Sequence, residues 1–196
     1  MRVPRSLLDT TNTVSIGDEH AVSEAVDRIL EKCFGAGSFD GELLHASFAL
    51  VGRLFAGEHL GYLACDMPYH DLRHSLDTAL VMSRLIAGYQ SEQGVSSGAF
   101  GPEYGLLGVL LGLLHDTGYI RKTSETALCG PQLVAEHESR SVEFARSYLG
   151  TTSLAKHAAL ASLIFATQLG PDLKEFFAVF SFFNSSGIQQ VASVLS

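Results

Sequence analysis

A chain of 196 residues, 46% hydrophobic and 17% charged, has room for one domain with a sizeable core, and intrinsic disorder is excluded. Thirteen Lys and Arg against 21 Asp and Glu leave a net charge of -8. A surface of that sign repels a phosphate backbone and argues against a nucleic-acid polymer as partner.

Residues 1–15 lack the unbroken apolar stretch of a secretory signal and read as an N-terminal arm, with residues 16–196 as the domain. Apolar residues then recur at helical spacing with almost no period-two alternation, so the expected fold is all-α, with seven or eight helices. The first begins near Asp18, whose side chain caps the first turn, and runs to Cys33. GAGSFDG at 35–41 is a loop, and Asp40 caps a second helix at about 42–60. A third helix at about 70–90 is introduced by Pro68. SEQGVSSGAFGP at 91–102 is the longest break, and a very apolar helix follows from about 103 to 116. After an irregular segment from Thr117 to Pro131, helices fit 132–149, 153–168, 172–183 and 187–195.

No apolar run approaches the roughly 20 residues that cross a bilayer, so no membrane partner is expected. Cys33, Cys65 and Cys129 are too few and too scattered for a disulfide framework, which points to reduced thiols in a cytoplasmic protein. FFAVFSFF at 176–183 spreads phenylalanine around most of a helix circumference. Another helix, or a second copy of the chain in a homodimer, is expected to cover it.

Histidine carries the chemistry. In Tyr69-His70-Asp71-Leu72-Arg73-His74, two imidazoles four positions apart share one face of a helix. They serve either as a ligand and its substrate-facing neighbour or as a polar surface stripe. Asp77 lies three residues further on the same side, placed to orient an imidazole by a hydrogen bond. His115-Asp116 ends the apolar run LLGVLLGLL and precedes Thr117-Gly118. A carboxylate placed directly after a core helix needs a metal or a buried partner, unless the chain leaves the core at that point. Adjacent residues point about 100° apart on a helix, so both reach one ion only beside the helix end.

Tyr-His-Asp-x-x-His at 69–74, His-Asp-x-Gly at 115–118 and His137 in a Glu-His-Glu segment together resemble the HD superfamily of metal-dependent phosphohydrolases. The Tyr-His-x-x-x-His form is most similar to its cyclic-nucleotide-phosphodiesterase-like branch. The likeness covers roughly residues 65–170. It implies an HD-type helical bundle in which His74, His115 and Asp116 bind a first divalent metal ion. Asp116 would bridge to a second ion, His137 would ligate that ion, and His70 would protonate the leaving oxygen. Mixed His and Asp ligation suits Mn, Fe, Co or Zn, with Mg also in the expected set.

The implied reaction is hydrolysis of a small-molecule phosphate mono- or diester, a nucleotide above all, by metal-activated water. Arg121 and Lys122, the basic pair after the His-Asp turn, are candidates for holding the phosphate. Two other readings stand beside it: an HD-type di-iron oxygenase, and a non-catalytic regulatory module with a degenerate metal site.

The resemblance also calls for an Asp on a late helix. After Glu143 the acidic residues are Asp172 and Glu175, and Asp172, following Gly170-Pro171, reads as a helix cap. The missing ligand is therefore expected beyond Ser196 in a longer chain, or else this is a variant without it.

Overall fold

The computed structural model of the protein describes residues 7–93 and 101–169. Its elements are α1 (Glu19–Phe34), α2 (Gly41–Ala56), α3 (Leu72–Gln93), α4 (Pro102–Leu114) and α5 (His137–Leu149). Two short 3₁₀ turns, Thr117–Tyr119 and Gly130–Leu133, and a longer 3₁₀ stretch, Ala155–Leu169, complete the order. The described residues are all-α: two isolated bridges, Leu8 with Ser15 and Tyr62 with Lys122, are the extent of extended pairing among them.

Capping sets the boundaries. Asp18 accepts from the backbone N–H of His20 and Ala21 to start α1, and Asp40 accepts from Leu43 N–H to start α2. α2 stops at Ala56 rather than near residue 60. Gly57 there takes φ 76°, and a Cβ on it would lie 2.5 Å from the Ala64 nitrogen. Asp71 accepts from His74 N–H at 3.0 Å, so α3 begins at Leu72 and not at residue 70. Pro68 lies in the loop before it. The helix expected from residue 132 starts at His137, because Gly130–Leu133 winds as a separate 3₁₀ turn.

α4 is the centre. Every residue from Gly105 to Leu114 is buried, as an all-round apolar helix requires. α1, α2 and α3 pack against it, and α5 with the stretch Ala155–Leu169 covers another side. In that stretch Ala158, Ala161 and Ile164 recur at spacing three, which aligns side chains at three residues per turn. Among the described residues no helix is long and apolar enough to cross a membrane. The helices expected at 172–183 and 187–195, with Asp172 and the phenylalanine-rich segment, lie outside the described residues.

The expected N-terminal arm is tied down over residues 7–16. Ile16 N–H donates to Leu7 C=O and Asp9 N–H to Val14 C=O, closing a tight loop. Asp9 is buried at its centre. Its carboxylate accepts from the N–H groups of Thr11, Thr13 and Val14, from the Thr11 hydroxyl, and from Arg84 Nη2 on α3 at 2.6 Å. Burial alone would raise its pKa, but these donors outweigh it and hold the carboxyl far below the usual range.

A folded-state pKa below the unfolded one adds stability above about pH 4 that is lost as pH falls further. Asp9→Asn is therefore expected to lower stability at pH 7 by about 2 kcal/mol or more. It should also flatten the loss of stability on acidification. Urea titrations of both chains at pH 7 and pH 3.5 check this; an equal deficit at the two pH values would refute the ionic role.

Candidate metal centre

The apolar run of α4 ends at Leu114, and His115 keeps a helical backbone as its cap. Asp116 then turns to φ -108° and ψ 7°, which brings the following residues back under α5. Thr117 Oγ1 donates to Leu114 C=O and so satisfies one of the orphan carbonyls at the helix end. The result is a carboxylate only 1% exposed, so Asp116 does not leave the core with the chain.

Three imidazoles converge on one oxygen of that carboxylate. Asp116 Oδ2 lies 2.6 Å from His70 Nδ1, 3.2 Å from His115 Nε2 and 3.4 Å from His74 Nε2. His70 and His74 meet edge to face at 5.4 Å, although His70 precedes α3 instead of sharing its face. Among the described residues His70, His74 and Asp116 form a group whose ligand atoms lie within 4.8 Å of one another and can hold a metal ion.

Donor chemistry tests the fit. A carbonyl only accepts, so the 2.8 Å contact of His115 Nδ1 with Gly112 C=O fixes the proton on Nδ1. Nε2 then faces the Asp116 carboxylate as a second acceptor unless it too is protonated. A cation or a second proton must resolve that opposition. Without a cation it is the proton. Burial acts to lower the His115 pKa, but the Asp116 carboxylate outweighs it and the net direction is up. Burial also acts to raise Asp116, and its contacts with His115 and His70 bring it down to about 2. His74 goes the other way: burial and then the neighbouring His115 ring hold it below its ordinary value, against the pull of Asp116. The centre thus holds an ionised carboxylate, one imidazole that favours its proton and one that favours its lone pair. Nitrogen and oxygen donors in this mix fit a borderline divalent cation.

Other expected residues are placed differently. His137 stands outside the convergent group. Its Nδ1 donates to Val134 C=O at 2.7 Å and lies 3.0 Å from the buried Glu138 carboxylate. Its ring is 6.3 Å from that of His70. Asp77 is half-buried and makes no hydrogen bond or ion pair to a histidine among the described residues. Arg121 is held at its two terminal nitrogens, Nη1 donating to Leu128 C=O and Nη2 pairing with Asp66 at 3.1 Å, while its buried Nε has no hydrogen-bond partner among the described residues. Lys122 is exposed and lines a cavity of about 370 Å³, to which none of His70, His74, His115 or Asp116 contributes.

Four residues act here without having been singled out by spacing. The buried Tyr119 ring stacks on His137 at 4.1 Å and on His70 at 4.6 Å, limiting rotation of both imidazoles. From α5, Ser141 Oγ accepts from Gly118 N–H, and Arg140 donates to the carbonyls of Gly118 and Ile120. The same guanidinium forms a two-pronged pair with Glu125 at 2.8 and 2.9 Å. Only an aromatic directly after the His-Asp-x-Gly end, and an Arg three past a histidine, mark Tyr119 and Arg140 in the sequence; neither pattern is distinctive.

No family model matches the chain, and no curated protein or solved structure is significantly similar to it.

Gly118 is the tightest point of this latch, since a Cβ there would lie 1.8 Å from His137 C=O. Gly118→Ala is expected to destabilise the fold by about 3 kcal/mol, at the upper end for overpacking. By displacing the turn, it should also weaken metal binding at least severalfold. Thermal denaturation and zinc titration of the variant check both, and unchanged metal affinity would show that the turn does not position the ligands.

Proposed function

We propose that this chain is an HD-type helical domain acting as a metal-dependent phosphohydrolase on a small-molecule phosphate ester. By the family resemblance His74, His115 and Asp116 would hold a divalent cation and His70 would be the general acid. The group whose ligand atoms lie within 4.8 Å of one another contains His70 in place of His115, which opens a second role for His70, as a ligand. One observation carries the reading: a buried carboxylate oxygen lies within 3.4 Å of one nitrogen from each of three imidazoles. A structural ion pair needs one such partner, and three exceed what packing requires.

The chemistry supplied by a bound divalent cation is the acidification of water, which provides a nucleophile near neutral pH. The chain's own residues supply the rest. Gly112 C=O holds the His115 tautomer that keeps Nε2 free as a ligand. Asp116, kept ionised down to about pH 2, contributes a negative oxygen across the neutral pH range. His70 is anchored on Asp116 through Nδ1 and braced by Tyr119, with about a third of its side chain exposed. Its Nε2 has no partner among the described residues and is the atom that delivers a proton to the leaving oxygen. The nitrogen-rich set favours Mn, Fe, Co or Zn over Ca. Nucleotide esters remain the favoured substrates through the family resemblance.

His115→Ala and Asp116→Ala are each expected to lose bound metal, measured by elemental analysis, together with turnover of a phosphoester panel supplied with Mn, Mg, Fe or Co. His70→Ala should keep its metal and lower kcat by roughly 10²–10⁴-fold. Turnover retained in Asp116→Ala would refute the mechanism. Metal lost from His70→Ala would make that residue a ligand instead of the acid.

A further inference from the structure

Away from the histidines, α1, α3 and the loop over residues 7–16 enclose a second cavity of about 890 Å³, large enough for a metabolite-sized ligand. Arg28, Lys32 and Arg84 line it, with no Asp or Glu among the described lining residues. Three cations in one concavity are unexpected in a chain of net charge -8. Arg84 stands ten positions after His74 on α3, about 15 Å along the helix axis, so this is a separate place on the molecule.

The three cations are not equally available. Arg84 Nη2 is fixed by Asp9, which cancels its charge but aims the guanidinium; Nη1 and Nε hold no partner among the described residues. Arg28 meets Glu24 at 3.4 Å on an exposed face, an ion pair of little strength. Lys32 is exposed and has no partner among the described residues. The floor is apolar, built from Val14, Ala25, Ile29 and Ala87. Cys33 beside it stays an uncharged thiol, because burial raises its pKa.

We propose that this cavity is a binding site for a phosphate-bearing small molecule with an apolar body. Lys32, Arg28 and the free edge of Arg84 would receive the phosphate dianion, and the floor would receive the body. The unpaired Lys32, the weakly paired Arg28 and the pre-aimed Arg84 guanidinium offer positive charge and several donors to the charge of about -2 and the acceptor oxygens of a phosphate monoester. A carboxylate would leave donors unused. The proposal stands apart from the hydrolase reading, since no residue of the histidine cluster takes part.

Calorimetric titration of the full chain with phenylphosphonate, which has no ester bond to hydrolyse, tests it with excess chelator present. One equivalent is expected to bind, with benzamide, the uncharged analogue, binding at least tenfold more weakly. The Arg28→Glu, Lys32→Glu double variant, altered only at exposed helix positions, should weaken phenylphosphonate at least tenfold. His74→Ala should leave it unchanged. In the unaltered chain, phenylphosphonate should slow alkylation of Cys33 but not of the exposed Cys129, read by peptide mass. No binding at 10 mM, equal binding by the double variant, loss of binding in His74→Ala, or equal alkylation of Cys33 with and without phenylphosphonate would each overturn the proposal.

Discussion

A carboxylate buried to 1% exposure must be compensated, and the arrangement around Asp116 is the form that compensation takes. One imidazole would neutralise it. Three, at 2.6, 3.2 and 3.4 Å from the same oxygen, cannot all be protonated without mutual repulsion, so the cluster has more donor capacity than the metal-free charge balance uses. The opposite directions in which the His74 and His115 pKa values move express that excess. A site with surplus lone pairs around a fixed negative oxygen is suited to exchange its proton for a cation.

The same constraint explains the architecture around the turn. α4 is buried on all sides, which makes its C-terminal end rigid but leaves carbonyls with no intrahelical partner. Thr117, within the turn, uses one of them, and α5 grips the turn from outside through Ser141 and Arg140. The bidentate Glu125 contact orients Arg140 and lowers the Glu125 pKa to about 2, so this clamp stays ionised over the neutral range. Asp116 and its histidines are thereby held by backbone geometry and not by each other alone. Such second contacts are what distinguish a preorganised site from a cluster of polar side chains.

Much of this was legible because local rules govern it. Asp18 and Asp40 start helices where short polar caps belong, and the apolar run before His115 announces a core helix. The convergence of His74, His115 and Asp116 follows from the start of one helix meeting the end of another, and His70 joins them from the loop before α3. Where the reading departs, a non-local contact or a competing cap is responsible. Asp71 captures the α3 N-terminus and leaves His70 outside the helix, an outcome that the Pro68 signal obscures. The arm over residues 7–16 looks loose because its five donors to Asp9 include Arg84, 75 positions away. Tyr119 offers no periodic signal, since its value lies in stacking on rings brought together by other segments.

α3 joins these two charged constellations, and their contrast has a physical logic. At its first turn, imidazoles surround a buried anion in a site shielded on most sides, where each charge interacts strongly. Further along, Arg84 rests on another buried anion, Asp9, but presents its remaining donors toward an open concavity. Asp9 is balanced by one guanidinium with backbone and hydroxyl donors, whereas Asp116 carries a surplus, three imidazole nitrogens around one oxygen. Packing alone selects against that surplus, because every unmatched donor near the core costs desolvation energy. Its presence around Asp116 is what lets that group hold a metal ion.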